Sequence, residues 1–202
     1  MLISVEGVDG AGKTTLVAGL AAALEERGPV VVLREPGGAA VSERIRELLA
    51  DPALRVDPRA EALLYAAARA QLVAERVVPL LEAGRWVLLD RFVDSSLAYQ
   101  GAARGLGVDR VRELNLFATG GLVPDRTLLL ALDPAAGRAR LVGRGEAPDR
   151  LEAEDAAFFA RVAGAYAELA REEPERIRVI DAAGAEPEVL AAALAALEDL
   201  LR

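Results

Sequence analysis

Leu2-Ile-Ser-Val-Glu-Gly7 followed by Val8-Asp-Gly-Ala-Gly-Lys-Thr14 opens this 202-residue chain, and its reading decides the fold. Leu2 to Val5 is a short apolar run ended by glycine, which reads as a buried strand. Gly7-Val-Asp-Gly-Ala-Gly-Lys-Thr14 then fits G-x-x-x-x-G-K-[ST], a turn that cradles phosphate. Glycines let the backbone wrap so that successive N–H groups point inward at phosphate oxygens. The helix opening near Lys13 adds the positive end of its dipole. Lys13 is expected to reach the β- and γ-phosphates, and the Thr14 hydroxyl to ligate Mg²⁺. The whole turn (Gly7, Val8, Asp9, Gly10, Ala11, Gly12, Lys13, Thr14 and Thr15) is the expected triphosphate site. A chance glycine-rich turn has no reason to sit between an apolar strand and a helix.

Outward from this turn, the chain alternates. Val30 to Leu33 is continuous and β-branched, and Trp86-Val-Leu-Leu89, Thr127 to Leu132 and Ile177-Arg-Val-Ile180 are similar runs, the last three ending at an aspartate. Unbroken apolar runs suit parallel strands covered on both faces. Between them, helical spacing predicts helices over about 14–26, 41–50, 59–83, 109–119, 134–142, 152–172 and 187–201, with Pro79 bending or shortening the third. The pattern is α/β: a five-stranded parallel sheet flanked by helices, with right-handed crossovers. No linker, repeat or biased tail divides it, so residues 1–202 read as one domain.

Composition narrows the chemistry. The chain is 53% hydrophobic and 28% charged, which excludes disorder, and has neither cysteine nor histidine. Disulfide scaffolds, zinc triads and imidazole acid–base catalysis are thereby excluded. A net charge of −8 argues against a general nucleic-acid binder. Glu6 and Asp9 interrupt the opening apolar run, so no signal peptide is read, and no stretch approaches the ~20 apolar residues of a membrane span. A cytoplasmic protein is expected. Lys13 is the only lysine; every other basic side chain is arginine. A GC-rich genome or a thermophile would each give that bias, yet lysine is used here.

Other residues gather at the same sheet edge. Asp90 ends the third run beside the phosphate turn, where it could hold Mg²⁺ through water or stand simply solvated. Arg91 follows and suits a second phosphate. Arg34-Glu-Pro-Gly-Gly38 is a turn after the second run. Tyr65 and Arg69 share a helix face, fit to stack on and hydrogen-bond a planar base; taken alone, the pair fits a core tyrosine beside a surface arginine better.

Together with Tyr65-Ala-Ala-Ala-Arg-Ala-Gln-Leu72, Asp90-Arg-Phe92 and Ser95-Ser-Leu-Ala-Tyr-Gln-Gly101, these motifs resemble the thymidylate kinases of bacterial type, in the family's order. The resemblance implies a three-layer P-loop NTPase fold and transfer of the γ-phosphoryl of ATP to dTMP with Mg²⁺, in dTTP synthesis. It assigns Asp9 to the sugar 3′-hydroxyl and nearby metal or water, and Arg91 to the dTMP phosphate. Tyr65 would stack on thymine, and Arg69 would bond its O4. Ser96 would lie near the ring, Tyr99 would sit below C2′ to exclude a ribose hydroxyl, and Gln100 would support the pocket. Pro36 and Ser95 complete the substrate set, Thr14 and Asp90 the metal set, and Glu35-Pro36 is expected to be cis. A homodimer is implied; no nucleic acid or membrane partner is.

Some family members carry arginine in the turn after the acidic residue; here that position is Gly10. The segment of about 138–150, basic and interrupted by Gly143, Gly145 and Pro148, resembles the mobile lid that supplies the charge instead. Arg144 is the expected catalytic arginine, beside Lys13, Asp9 and Arg91. Two other readings stay open: a kinase of this fold for another nucleotide or nucleoside, and a nucleotide-driven switch with no acceptor. A guanine-reading N-K-x-D motif is absent.

Overall fold

The computed structural model describes residues 1–143 and 149–201. Five strands, β1 (Leu2–Gly7), β2 (Val30–Arg34), β3 (Trp86–Asp90), β4 (Arg126–Ala131) and β5 (Ile177–Asp181), form one parallel sheet in the order β2-β3-β1-β4-β5. Every residue of the central strand β1 is buried. Alternation along β3 sends Leu88 into the larger core, with Leu16, Leu20, Leu24, Phe158 and Val162. Val87 and Leu89 go to a second cluster with Leu33, Leu72, Val77 and Phe92. Each face is thus sealed, as the unbroken apolar runs require.

Nine helices are assigned among the described residues: α1 (Lys13–Glu25), α2 (Ala40–Ala50), α3 (Pro58–Leu72), α4 (Val78–Glu82), α5 (Val93–Ser96), α6 (Val108–Thr119), α7 (Pro134–Val142), α8 (Ala156–Glu172) and α9 (Glu186–Ala195). The helix expected over 59–83 is regular only to Leu72. A π-helical stretch, Val73–Val77, intervenes before α4. Pro79 has no N–H and its ring would meet the carbonyl four residues back, so the wider turn accommodates it. The helix expected from 152 begins at Ala156, where Asp155 caps it by accepting from Phe158 N at 2.7 Å. The regular part of α9 ends at Ala195, short of the 201 expected.

No element was expected over 93–103, and there the structure has α5 continued by a π-helical stretch, Leu97–Ala103. Asp94, Ser96, Leu97, Ala98, Tyr99, Gln100 and Gly101 are all buried. Packed on every side, this segment has no apolar stripe to betray it.

Register places the site. Val5 pairs with Asp90 on one side and Leu128 on the other, and Arg34 lies opposite Asp90. The carboxyl ends of β1, β2 and β3 therefore release the phosphate turn, the 34–38 turn and Asp90-Arg91 side by side. On the far side of α5, Arg176 grips Asp94 with two bonds, at 2.7 and 2.8 Å, and donates to Thr127 Oγ1 at 2.8 Å. Asp94 is 2% exposed, so removing its partner strands a buried charge. Arg176→Met should cost about 3–5 kcal/mol, read as a lowered midpoint in urea unfolding; a midpoint unmoved would show that the pair does not anchor α5.

Candidate active site

The phosphate turn needs its glycines for different reasons. Gly12, at φ 95°, turns the chain into α1, whose first turn no side chain caps. Its N–H groups are left facing the cleft, an arrangement suited to an anion. Gly10, at φ 79°, lies against α7: a Cβ there would sit 2.2 Å from Gly137 O, and a Cβ on Gly137 would sit 2.5 Å from Asp9 O. The turn and α7 meet backbone to backbone.

Lys13 curls into the turn and donates to Gly7 O (3.2 Å) and Val8 O (2.9 Å), with Asp9 Oδ1 at 3.9 Å. Burial, with Arg91 adding to it, lowers the ammonium to about 8 against the pull of Asp9, Asp90 and Glu6. Ala11 N donates to Val8 O at 3.2 Å, tightening the turn. Thr14 Oγ1 donates to Asp90 Oδ2 at 3.1 Å. This hydroxyl–carboxylate pair is an all-oxygen set of the kind Mg²⁺ takes beside phosphate oxygens and water. Among the described residues no cluster of three acidic ligands competes with it.

Arg91 is the one described non-glycine residue at positive φ, 71°. Its backbone N–H bonds Val5 O at 3.0 Å, and the left-handed turn swings the guanidinium back over the phosphate loop. There it donates to Gly7 O and Ser95 Oγ, both at 3.0 Å, and to Asp9, and it lies 5.2 Å from the centre of the Tyr99 ring. Tyr99 OH donates to Asp9 Oδ2 at 3.0 Å. Burial pulls the Asp9 carboxyl upward, but Arg91, Lys13 and these hydrogen bonds outweigh it and hold it below its ordinary value. Beneath Arg91 lies Glu6, which accepts from Phe92 N (2.7 Å), Ser95 Oγ (2.6 Å) and Tyr166 OH (2.9 Å).

Another part of the cleft is built around Arg69, 2% exposed. Nε donates to Glu35 Oε2 (2.7 Å), which also lies 2.6 Å from Nη2. Nη1 serves Ser96 Oγ (3.0 Å) and Asn115 Oδ1, and Nη2 serves Phe92 O (3.0 Å). The five N–H donors of a guanidinium are thus all placed. Burial raises the Glu35 carboxyl against the pull of Arg69. Glu35-Pro36 is cis, as expected, and Arg46 Nη1 donates to Pro36 O at 3.1 Å.

A cleft of about 830 Å³ brings together Asp9, Gly10, Gly12, Lys13, Thr14, Thr15, Pro36, Tyr65, Arg69, Asp90, Arg91, Ser95, Ser96, Tyr99 and Gln100. Gly7, Val8 and Ala11 do not line it; Ala11 lines a second hollow of about 670 Å³ across the turn, with Arg140, Ala185 and Pro187. Of the expected lid, Arg138 and Arg140 lie on α7. Arg144 falls outside the described residues. Arg150 is anchored, donating to Leu49 O (2.9 Å) and to the buried carboxylate of Glu61 (2.6 Å).

Sequence reasoning gave no role to Glu6, Glu35, Glu61, Asn115 or Tyr166. Signals were available for two of them: Glu6 is an acid inside a strand buried throughout, and Asn115 is the only asparagine.

The thymidylate kinase family model matches residues 5–192. A thymidylate kinase of Deinococcus radiodurans is 49% identical over 200 residues, covering 98% of this chain and 97% of the relative. One from Rhizorhabdus wittichii is 50% identical over 202 residues, with the same coverage. Among solved structures, the crystal structure of thymidylate kinase from Ehrlichia chaffeensis matches with a TM-score of 0.80 and 30% identity over 98% of each chain.

Glu6 makes the site's pH dependence testable. Burial, with the Asp94 charge adding to it, pushes Glu6 up to about 7 from 4.5, against Ser95, Arg91 and Phe92 N. Between those values the folded protein holds a proton that the unfolded chain has lost, so this group's contribution to stability falls as pH rises through the window. Glu6→Gln should flatten the slope of unfolding free energy against pH between about pH 5 and 7; an unchanged slope would clear Glu6 of that role.

Proposed function

The chain belongs to the thymidylate kinase family, and on that premise we propose that it transfers the γ-phosphoryl of ATP to the 5′-phosphate of dTMP, giving dTDP. The observation that carries the reading is one cleft in which the phosphate turn, Arg91 and the Tyr65–Arg69 pair all open. Such a transfer needs positioning and charge neutralisation more than a strong base.

In this reading the turn's N–H groups and Lys13 hold the ATP phosphates, and the hollow beside Arg140 and Ala185 takes the donor nucleoside. Lys13 and Arg91 now spend donors on neutral carbonyls, Gly7 O and Val8 O. Phosphate oxygens, being charged, are stronger acceptors and draw those donors outward. Arg91 takes the dTMP phosphate, with Ser95 and Asp9 fixing the guanidinium. Asp9 receives the sugar 3′-hydroxyl, and the Tyr99 ring closes the space below C2′. Tyr65 stacks on thymine, Ser96 lies beside it, and O4 shares an Arg69 donor now given to Ser96 or Asn115. Thr14 and Asp90 would hold Mg²⁺, which when bound neutralises charge on the β- and γ-phosphates. Arg144 would add a guanidinium to the transferred group.

Leu63 on α3 and Leu116 and Phe117 on α6 are exposed, Phe117 by 89%. A large ring so bare on two helices that pack together supports a homodimer formed through them. Among the described residues no helix is long and apolar enough to cross a membrane, which fits a cytoplasmic enzyme.

An ATP-coupled assay with dTMP, dUMP, UMP, CMP and AMP side by side tests the reading: dTMP should be preferred, and ATP turnover without acceptor should be slight. Lys13→Arg should lose most activity, because a planar fork does not fit the small turn that a compact ammonium fills; near-native turnover would refute that role. Arg69→Ala should raise KM for dTMP far more than KM for ATP, and equal effects would point to a structural role. Arg144→Ala should lower kcat by on the order of 10²-fold; retention of kcat would remove it from the mechanism.

A further inference from the structure

Glu61 is a fully buried carboxylate in the first turn of α3 that collects four hydrogen bonds from three side chains. Oε1 accepts from Gln100 Nε2 (2.9 Å) and Arg104 Nε (3.2 Å). Oε2 accepts from Arg104 Nη2 (3.2 Å) and Arg150 Nη1 (2.6 Å). Burial pushes this carboxyl upward, but Arg104, Gln100 and Arg150 outweigh it and hold it below the ordinary range, an anion at neutral pH. An ionised carboxylate only accepts, so the Gln100 amide has one admissible orientation, its NH₂ toward Glu61. Its carbonyl oxygen meets no donor among the described residues and is not sealed in; Gln100 lines the cleft alongside Ser96 and Tyr99.

We propose that Glu61 is a positioning residue for acceptor choice: it locks the Gln100 amide so that a hydrogen-bond acceptor faces the pyrimidine. This rests on the cleft being the dTMP site. Thymine and uracil carry a donor at N3, whereas cytosine has a lone pair at the same atom. A fixed acceptor in the pocket wall favours the first and repels the second, while an amide free to turn over would serve either. The two arginines make the burial of Glu61 tolerable. Arg104 is itself held by Glu154 at 2.5 Å and by the Phe158 ring, 4.8 Å to its centre.

The test compares kcat/KM for dTMP and dCMP, with ATP as donor, in the native chain, Glu61→Gln and Gln100→Met. Glutamine at 61 can donate as well as accept, so it no longer dictates the amide of Gln100. The preference for dTMP over dCMP should then fall about tenfold, the value of one hydrogen bond, through KM for dTMP and with KM for ATP unmoved. Gln100→Met, which removes the amide, should give a similar fall, and the double variant should fall little further. Equal losses on both acceptors in Glu61→Gln would overturn the proposal, since a merely structural role predicts that. Should Glu61→Gln fail to fold, Gln100→Met decides alone, and an unchanged preference there overturns it. Failure of the native chain to use dTMP would instead refute the functional reading.

Discussion

A guanidinium drawn mostly out of water has to be surrounded by acceptors, and Arg91, with its side chain 17% exposed, draws its own from both sides of the phosphate turn. Gly7 O lies at the turn's start, Asp9 in its middle, and Ser95 on α5, just after Arg91 itself. The left-handed backbone at Arg91 is what lets one side chain reach all three. Asp9 in turn stays ionised because Arg91 and Lys13 stand beside it. The cleft therefore holds these charges in compensated pairs on mostly buried side chains, where each attraction is stronger than between the same groups in water. Glu6 underlies the arrangement, bonding the Ser95 and Tyr166 hydroxyls next to the guanidinium.

The part of the cleft around Arg69 obeys the same rule with different parts. Arg69 reaches Glu35 after β2, Phe92 and Ser96 near β3, and Asn115 on α6, so its position records the packing of three separate segments against α3. A group held that tightly presents a fixed charge and a fixed donor geometry. Fixed geometry is what discriminates between bases that differ by a single donor or acceptor.

What could be read from the chain depended on how local the signal was. The phosphate turn is eight consecutive residues with a required backbone shape, and the strands are continuous runs, so both were legible. Tyr65 and Arg69 were legible as a pair because one helical turn joins them. The helix over 93–103 was not, since burial on all sides erases the amphipathic stripe, and Gly101 sits inside it because a Cβ there would come within 3.1 Å of Val108 Cα. Glu61 and Asn115 lay beyond local reading for another reason: Glu61 takes its partners 39, 43 and 89 residues away, and Asn115 meets Arg69 46 residues away. Only the folded chain shows that these acceptors are needed.

The contact between Gly10 and Gly137 bears on how this chain can change over evolutionary time. Any side chain at residue 10 would have to adopt φ 79° and place its Cβ on the carbonyl of Gly137. Placing an arginine at residue 10 of the turn is therefore not a one-codon step here. It would demand that α7 first withdraw. That the turn carries no side chain at residue 10 is thus a steric matter, held by two residues that have no side chains at all.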